Sequence, residues 1–232
     1  MRGRVAVVTG GTGFLGVSLT RRFLAGGCAA VCIPYAVSAE WERLQGQLGA
    51  AERGRVHAEP VDVADEAAMA SFVEAARRRH GQLDILVNAV GGFAMGDLAS
   101  TPLAEWERLL RLNLTTAVVG CRSVLPTMTA ARYGRIVSIA SRAVLAPAGG
   151  FIAYAVGKAA VITLTQALAQ EVRPHGITVN AVLPSTMDTP GNRQAMPDAD
   201  RSGWVTTDAV AEAVAFLASE AAGAVTGSPV AV

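Results

Sequence analysis

A single lysine stands in this chain of 232 residues, against 19 arginines, and cysteine, histidine and tryptophan each occur only three times. Each scarcity excludes something. Cys28, Cys32 and Cys121 are odd in number, form no Cys-x-x-Cys pair and match no histidine spacing. A disulfide framework and a metal site are therefore not expected, and the thiols read as free and buried in a reducing compartment. Charge of one sign is lacking too: 20 basic and 19 acidic groups leave a net charge of +1. No field exists to gather nucleic acid or an anionic membrane. The longest basic run, Arg77-Arg78-Arg79-His80, closes a helix-like stretch, where cations suit the dipole. There is no apolar stretch of about 18 residues and no signal-peptide layout, and Met1 leads directly into a strand pattern at Val5, so a soluble cytoplasmic protein is expected. Linkers, repeats and low-complexity tracts are also missing. A hydrophobic fraction of 51% against 17% charged residues supports a large core and argues against disorder.

Short β-branched runs alternate with longer amphipathic ones. Strands are expected at Arg4–Thr9, Ala30–Ile33, Val56–Ala58, Leu83–Asn88, Arg135–Ile139, Ile177–Val182 and in the tail Ala224–Val232. Helices are expected at Gly13–Ala25, Ala39–Leu48, Asp65–His80, from Pro102 towards Thr129, Phe151–Val172 and Thr207–Ser219. This alternation predicts one α/β domain over residues 1–232, a doubly wound Rossmann fold with a parallel sheet of about seven strands and helices on both faces. Nearly continuous apolar strands such as Val-Ala-Val-Val fit a sheet buried on both sides. The one irregular segment, Ser185 to Trp204, follows a strand C-terminus, where open α/β sheets bind ligands. That position favours a flexible substrate-side lid over a plain surface loop.

The first strand runs into Thr9-Gly10-Gly11-Thr12-Gly13-Phe14-Leu15-Gly16. Gly11, Gly13 and Gly16 fit G-x-G-x-x-G: the first permits the tight turn, the second lets backbone approach a pyrophosphate, and the third lets helix pack on strand. The helix N-terminus offers bare N–H groups and a positive dipole end to phosphate. A plain glycine turn is the alternative for an isolated match, but here the motif links first strand to first helix. The acidic residue usual about 20 positions on is not evident: the second strand ends Cys32-Ile33-Pro34-Tyr35, and the next acid is Glu40. Without that carboxylate the 2′-phosphate of NADP meets no repulsion, so the expectation leans to NADP over NAD. Arg43 reads as a helix-surface arginine.

Lys158 is the one basic site that keeps lysine, which offers a compact charge with three donors on a flexible stem. Tyr154 lies four residues earlier, so on a helix the two share a face. A phenol titrates near pH 10 and a neighbouring cation favours phenolate, which turns a poor acid/base into a usable one.

These residues carry a resemblance to the short-chain dehydrogenase/reductase family, in its shorter, single-domain branch. The family's Tyr-x-x-x-Lys is matched by Tyr154 and Lys158, and its serine, 13 residues upstream, by Ser141 after Gly134-Arg135-Ile136-Val137. Its Asn-Asn-Ala-Gly strand end appears as Asn88-Ala89-Val90-Gly91, its helical asparagine as Asn113, its adenine-side pair as Asp62 and Val63. Its Asn-x-x-x-Pro-Gly segment appears as Asn180 to Ser185. The match spans Thr9 to Gly227, and the order of the motifs makes it far more specific than any one of them. The resemblance implies Asn113, Ser141, Tyr154 and Lys158 as catalytic residues. It implies cofactor contacts from Gly10 to Gly16, Asp62, Val63, Asn88, Ala89, Val90, Tyr154, Lys158, Pro184, Met187 and Thr189, the last on the nicotinamide carboxamide. Phe14, Ala89 and Ser185 depart from residues usual in the family, the lid is short, and the chain stops at Val232, before the family's usual tail. By this resemblance Ser141 orients the substrate oxygen, Tyr154 exchanges its proton, Lys158 lowers the Tyr154 pKa and holds the nicotinamide ribose, and Asn113 supports a relay water.

The expected activity is hydride transfer between NAD(P)(H) and a ketone or aldehyde/alcohol pair, by a homodimer or homotetramer. Val90, Phe93, Val144, Phe151 and Met187 read equally as a partly hydrophobic pocket or as core, and a 3-oxoacyl thioester, a steroid-like ketone, a sugar and a small aldehyde all remain open. A non-catalytic nucleotide-binding regulator is the alternative, disfavoured by the presence of both Tyr154 and Lys158. A serine hydrolase is disfavoured: no Gly-x-Ser-x-Gly elbow occurs, and the last histidine, His175, lies just beyond a helix end.

Overall fold

The structure is a computed structural model describing residues 1–232. Seven strands form one sheet: β1 (Val5–Thr9), β2 (Ala30–Tyr35), β3 (Val56–Pro60), β4 (Ile85–Asn88), β5 (Gly134–Ile139), β6 (Ile177–Leu183) and β7 (Pro229–Ala231). Their order is β3-β2-β1-β4-β5-β6-β7, and every pairing is parallel. The chain crosses from β3 back past β1 to β4, so the direction of winding reverses between β1 and β4. In open α/β sheets that reversal opens a crevice at the strand C-termini.

The helices are α1 (Phe14–Ala25), α2 (Ser38–Gln47), the single turn α3 (Ala50–Arg53), α4 (Glu66–His80), α5 (Leu103–Leu110), α6 (Thr116–Ala131), α7 (Ile152–Val172), α8 (Pro190–Ala195) and α9 (Thr207–Leu217). They cover both faces of the sheet. Strand side chains alternate in direction, so Ala6 and Val8 of β1 join α1 and α9 in one buried cluster, around Leu19, Phe23, Val210 and Val214. Val5 and Val7 join α4, α6 and α7 in the other, around Phe72, Val124, Met128 and Leu168. Both faces being covered explains why β1, β4, β5 and β6 are buried along their whole length.

Local signals set several boundaries. Asp65 caps α4 by accepting from Ala68 N at 2.9 Å, Gly81 ends it at φ 76°, and the basic run fills its last turn. Three expectations need correction. The helix from Pro102 is not continuous: a π-helical turn, Arg111–Thr115, separates α5 from α6. Ser185–Trp204 is not wholly irregular, because Thr189 caps α8 and Pro190 opens it, the two positions where a helix start favours those residues. The tail pairs as a strand only at Pro229–Ala231. In addition, Ile152–His175 is long and apolar enough to cross a membrane, with a mean hydropathy of 1.4. Here it packs against β6 and α5 and buries Lys158.

Candidate active site

A cleft of about 690 Å³ lies over the C-terminal ends of β1, β2 and β4. Its floor is the glycine loop. Gly10, at φ +69°, makes the turn out of β1, with Ala89 backbone 3.0 Å from where a Cβ would stand. The tight turn thus belongs to Gly10 rather than Gly11, whose missing side chain instead makes room for Ile33. A Cβ on Gly16 would collide with the Gly10 carbonyl and the Gly11 backbone, which fixes α1 against the loop. Gly13 has no such neighbour, lines the cleft and caps α1 without a side chain. No acidic residue lies in the first turn of α1. Its free N–H groups and positive dipole end therefore face the cleft without a competing anion, and suit a pyrophosphate.

The adenosine end of such a nucleotide would lie between two short stretches, Pro34–Val37 and Pro60–Ala64. Asp62 accepts from Ala64 N and pairs with Arg111 at 2.9 Å. Tyr35 stacks on Trp41, with centroids 6.0 Å apart. Only Ala36 and Val37 separate β2 from α2, so the first turn of α2 folds back over the cleft. Glu40 there accepts a hydrogen bond from Thr12 Oγ1 at 2.9 Å and lines the cleft wall. Arg43 follows one turn later, donates to the Thr12 carbonyl at 3.0 Å and lies over the Phe14 ring. It is exposed on the helix surface, as expected, and reaches across to the glycine loop.

The remaining candidates lie past Gly91, the last residue of the β4 end to line the cleft. Tyr154 is half-buried on the first turn of α7, with the Ser141 side chain near enough to its phenol to lower its pKa. Ser141 also accepts from Ala143 N at 3.2 Å, which fixes the turn that presents it. Lys158 is 5% exposed and donates to the Ile139 carbonyl at 2.8 Å. Burial pushes its pKa down to about 8. Asn113, 2% exposed, sits in the π turn; it donates to the Leu109 and Gly92 carbonyls and accepts from Gly92 N. A methyl group on Gly91 would lie 2.9 Å from Asn113 Oδ1 and 3.0 Å from Lys158 Nζ, so both groups flank one side of Gly91. π turns recur where a functional side chain must be re-aimed.

The structure corrects one electrostatic expectation. Burial raises the Tyr154 pKa, opposed only by Ser141, and Lys158 is not among the groups that shift it. The ammonium is spent on the Ile139 carbonyl instead.

Several expected cofactor residues do not face the cleft. Leu15 points into the core, and Gly11 and Gly16 serve the loop's own packing. The Asn88 amide is buried and donates to Ser138 Oγ at 3.2 Å and to Cys121 Sγ at 3.5 Å. Pro184 is buried, with its carbonyl accepting from Arg142 N. The Thr189 oxygen accepts from Asn192 N as the α8 cap, and its hydroxyl proton stays free to donate. Met187 packs on the core cluster beside a bridge to Val205. Gly10, Thr12, Gly13, Asp62, Val63, Ala89 and Val90 do line the cleft. Glu40 lines it too and was missed as a site residue. Its only sequence signal was its place as the first acid after β2.

An uncapped helix end at the winding reversal, with a buried lysine and asparagine against Gly91 at the cleft's edge and a tyrosine one turn before that lysine, describes a dinucleotide-dependent oxidoreductase. The family model described as short chain dehydrogenase matches residues 4–200. The chain belongs to that family, and is an NAD(P)-dependent enzyme acting between carbonyl and alcohol. It is 36% identical over 217 residues to an uncharacterized oxidoreductase, YxjF, of Bacillus subtilis, covering 93% of this chain and 83% of that one. It is 34% identical to the 2-(R)-hydroxypropyl-CoM dehydrogenase of Xanthobacter autotrophicus, covering 97% and 95%. Among solved structures, levodione reductase superposes with a TM-score of 0.91 at 27% identity, covering all of this chain and 96% of that one.

Proposed function

We propose that this chain reduces a largely apolar ketone or aldehyde, with Tyr154 as the proton donor. The observation that carries the reading is the half-buried phenol of Tyr154 beside the Ser141 side chain. Burial keeps Tyr154 neutral at physiological pH, the state a proton donor needs. Ser141 orients the carbonyl oxygen and Tyr154 donates its proton to it. The nicotinamide cofactor supplies the hydride when bound. In the reverse direction Tyr154 accepts the proton from the alcohol. Lys158 holds the nicotinamide ribose, and with Asn113 passes protons past Gly91. A lysine with a pKa of about 8 exchanges protons readily near neutrality.

The NADP expectation rested on a missing carboxylate, and Glu40 at the cleft wall removes that ground. An apolar substrate is supported by the rim. Phe93 stands edge-on to Tyr154 at 5.0 Å, and Phe151 stands edge-on to it at 6.5 Å. Phe93, Met95 and Leu145 are exposed, at 56%, 71% and 60%. The names of two similar proteins, levodione reductase and a hydroxypropyl-CoM dehydrogenase, refer to a carbonyl and an alcohol substrate. Residues 185–204 act as the lid. A homodimer or homotetramer is supported by exposed Leu103 on α5 and Val156 on α7.

The test is Tyr154→Phe. Turnover with a responsive ketone should fall by about 10²–10⁴-fold, while NADH or NADPH affinity stays within about twofold. Turnover within a few-fold of wild type would remove Tyr154 from the chemistry.

A further inference from the structure

Along the chain Glu40 is only the next acid after β2. Its position in space is different. We propose that Glu40 is the residue that selects the cofactor, accepting a hydrogen bond from the adenosine ribose 2′-hydroxyl and excluding a 2′-phosphate, so that the enzyme uses NAD(H). This inference rests on the reading of the cleft as the nucleotide site.

Three observations carry it. The carboxylate is held by Thr12 Oγ1, at 2.9 Å, in the wall of the cleft that Tyr35 and Asp62 also line. One of its oxygens takes that bond, and a carboxylate oxygen pair has several further acceptor positions. The residue is thus placed, on the first turn of α2 just beyond β2, to accept a hydrogen bond from a hydroxyl near the strand end where acidic residues of dinucleotide folds hold the ribose.

The second observation is the charge balance. The charged residues of the cleft wall are Glu40, Asp62 and Arg111. Asp62 and Arg111 pair with each other at 2.9 Å. The Glu40 charge is left without a cationic partner among the residues of the wall. A phosphate monoester, carrying about −1.5 to −2 charge near pH 7, would be brought against it.

The third concerns the obvious counter-argument, Arg43. An arginine here would ordinarily favour a 2′-phosphate. Arg43 forms no ion pair with Glu40 and is not part of the cleft wall. It donates to the Thr12 carbonyl at 3.0 Å, and its guanidinium lies over Phe14, 5.1 Å from the ring centroid. Its role is to brace α2 against the glycine loop, which sets where Glu40 stands. The loop supplies no other cation, since Thr9 to Gly16 contains no basic residue.

The experiment is a fluorescence titration of the wild-type chain, Glu40→Gln and Glu40→Ala with NADH and NADPH, with ADP-ribose and 2′-phospho-ADP-ribose as competitors. Wild type should bind NADH at least about tenfold more tightly than NADPH, and ADP-ribose more tightly than its phosphorylated form. Glu40→Gln can keep the Thr12 contact while losing the charge, so it should fold normally and narrow the NADH/NADPH ratio about tenfold. Glu40→Ala should narrow it similarly. Arg43→Ala should weaken both nucleotides alike. A wild-type preference for NADPH overturns the inference. So does an unchanged ratio in both Glu40 variants, or an Arg43→Ala variant that loses NADPH alone. Binding of neither nucleotide to folded wild-type protein overturns the reading of the cleft as well, which separates the two failures.

Discussion

The two ends of the cleft are built by different means. From Thr9 to Gly16 the working surface is backbone: a turn at positive φ, a helix start with no side-chain cap, and glycines that allow chain to touch chain. From Asn113 to Lys158 it is side chains, three of them fixed by bonds to backbone: Asn113 to Leu109 and Gly92, Ser141 to Ala143, Lys158 to Ile139. Errors at the first end distort the fold, because the backbone cannot yield. Errors at the second should spare the fold and cost the chemistry.

The sharpest way to break this contrast is Gly16→Ala. The added methyl would meet the Gly10 carbonyl and the Gly11 backbone, with no flexible side chain to move aside. A cost of about 3 kcal/mol or more is expected, read as a lower urea midpoint together with lost nucleotide binding. A variant of normal stability would mean that the loop is softer than its contacts suggest.

At the other end, Lys158→Met should raise stability while abolishing turnover. The buried ammonium has its pKa lowered from 10.5 to about 8. The native state therefore releases this proton more easily than the unfolded chain. Between about pH 8 and 10.5 the unfolded chain holds more protons, so wild-type stability gains a contribution that grows with pH across that window. Below about pH 8 the penalty for burying the charge is present in full, at about 3 kcal/mol. Methionine removes the penalty but leaves the Ile139 carbonyl without its donor, which costs about 1–3 kcal/mol. A net gain of about 1 kcal/mol at pH 7 is expected, together with loss of the rise above pH 8. Urea denaturation at pH 7 and pH 9.5 checks both, and a destabilised variant with the rise intact would show that Lys158 is not the group responsible.

How much of this was legible before the structure follows the same divide. Buried strands such as Val5–Thr9 and Ile177–Leu183 announce themselves because both faces of the sheet are covered. The candidate catalytic side chains are legible because their residue types and order match the family's motifs. Conformation and through-space reach are not. Nothing in Arg-Leu-Asn-Leu-Thr breaks the helical period, so the π turn that aims Asn113 is invisible. Which of Gly10 and Gly11 takes positive φ cannot be read from two adjacent glycines. Glu40 meets Thr12 across 28 residues, and a rule based on spacing from the glycine loop passes over it. Thr189-Pro190 reads as loop composition yet is a helix cap followed by its first residue.

The finest test lies within the glycine loop itself. Gly13 and Gly16 belong to one motif, and the sequence treats them as equivalents. Their surroundings do not. Gly13 has φ −70° and ψ 176°, a conformation open to any residue, and its nearest atom to an added Cβ is 3.4 Å away. Gly13→Ala should therefore shift stability by no more than about 0.5 kcal/mol. Its methyl would stand at the lip of the cleft, where α1 meets the pyrophosphate, and should weaken both NADH and NADPH by about tenfold without altering their ratio. Unchanged affinity would place the phosphates away from this helix end. A large loss of stability would place Gly13 with Gly16, in the packing of the fold rather than in the binding of its ligand.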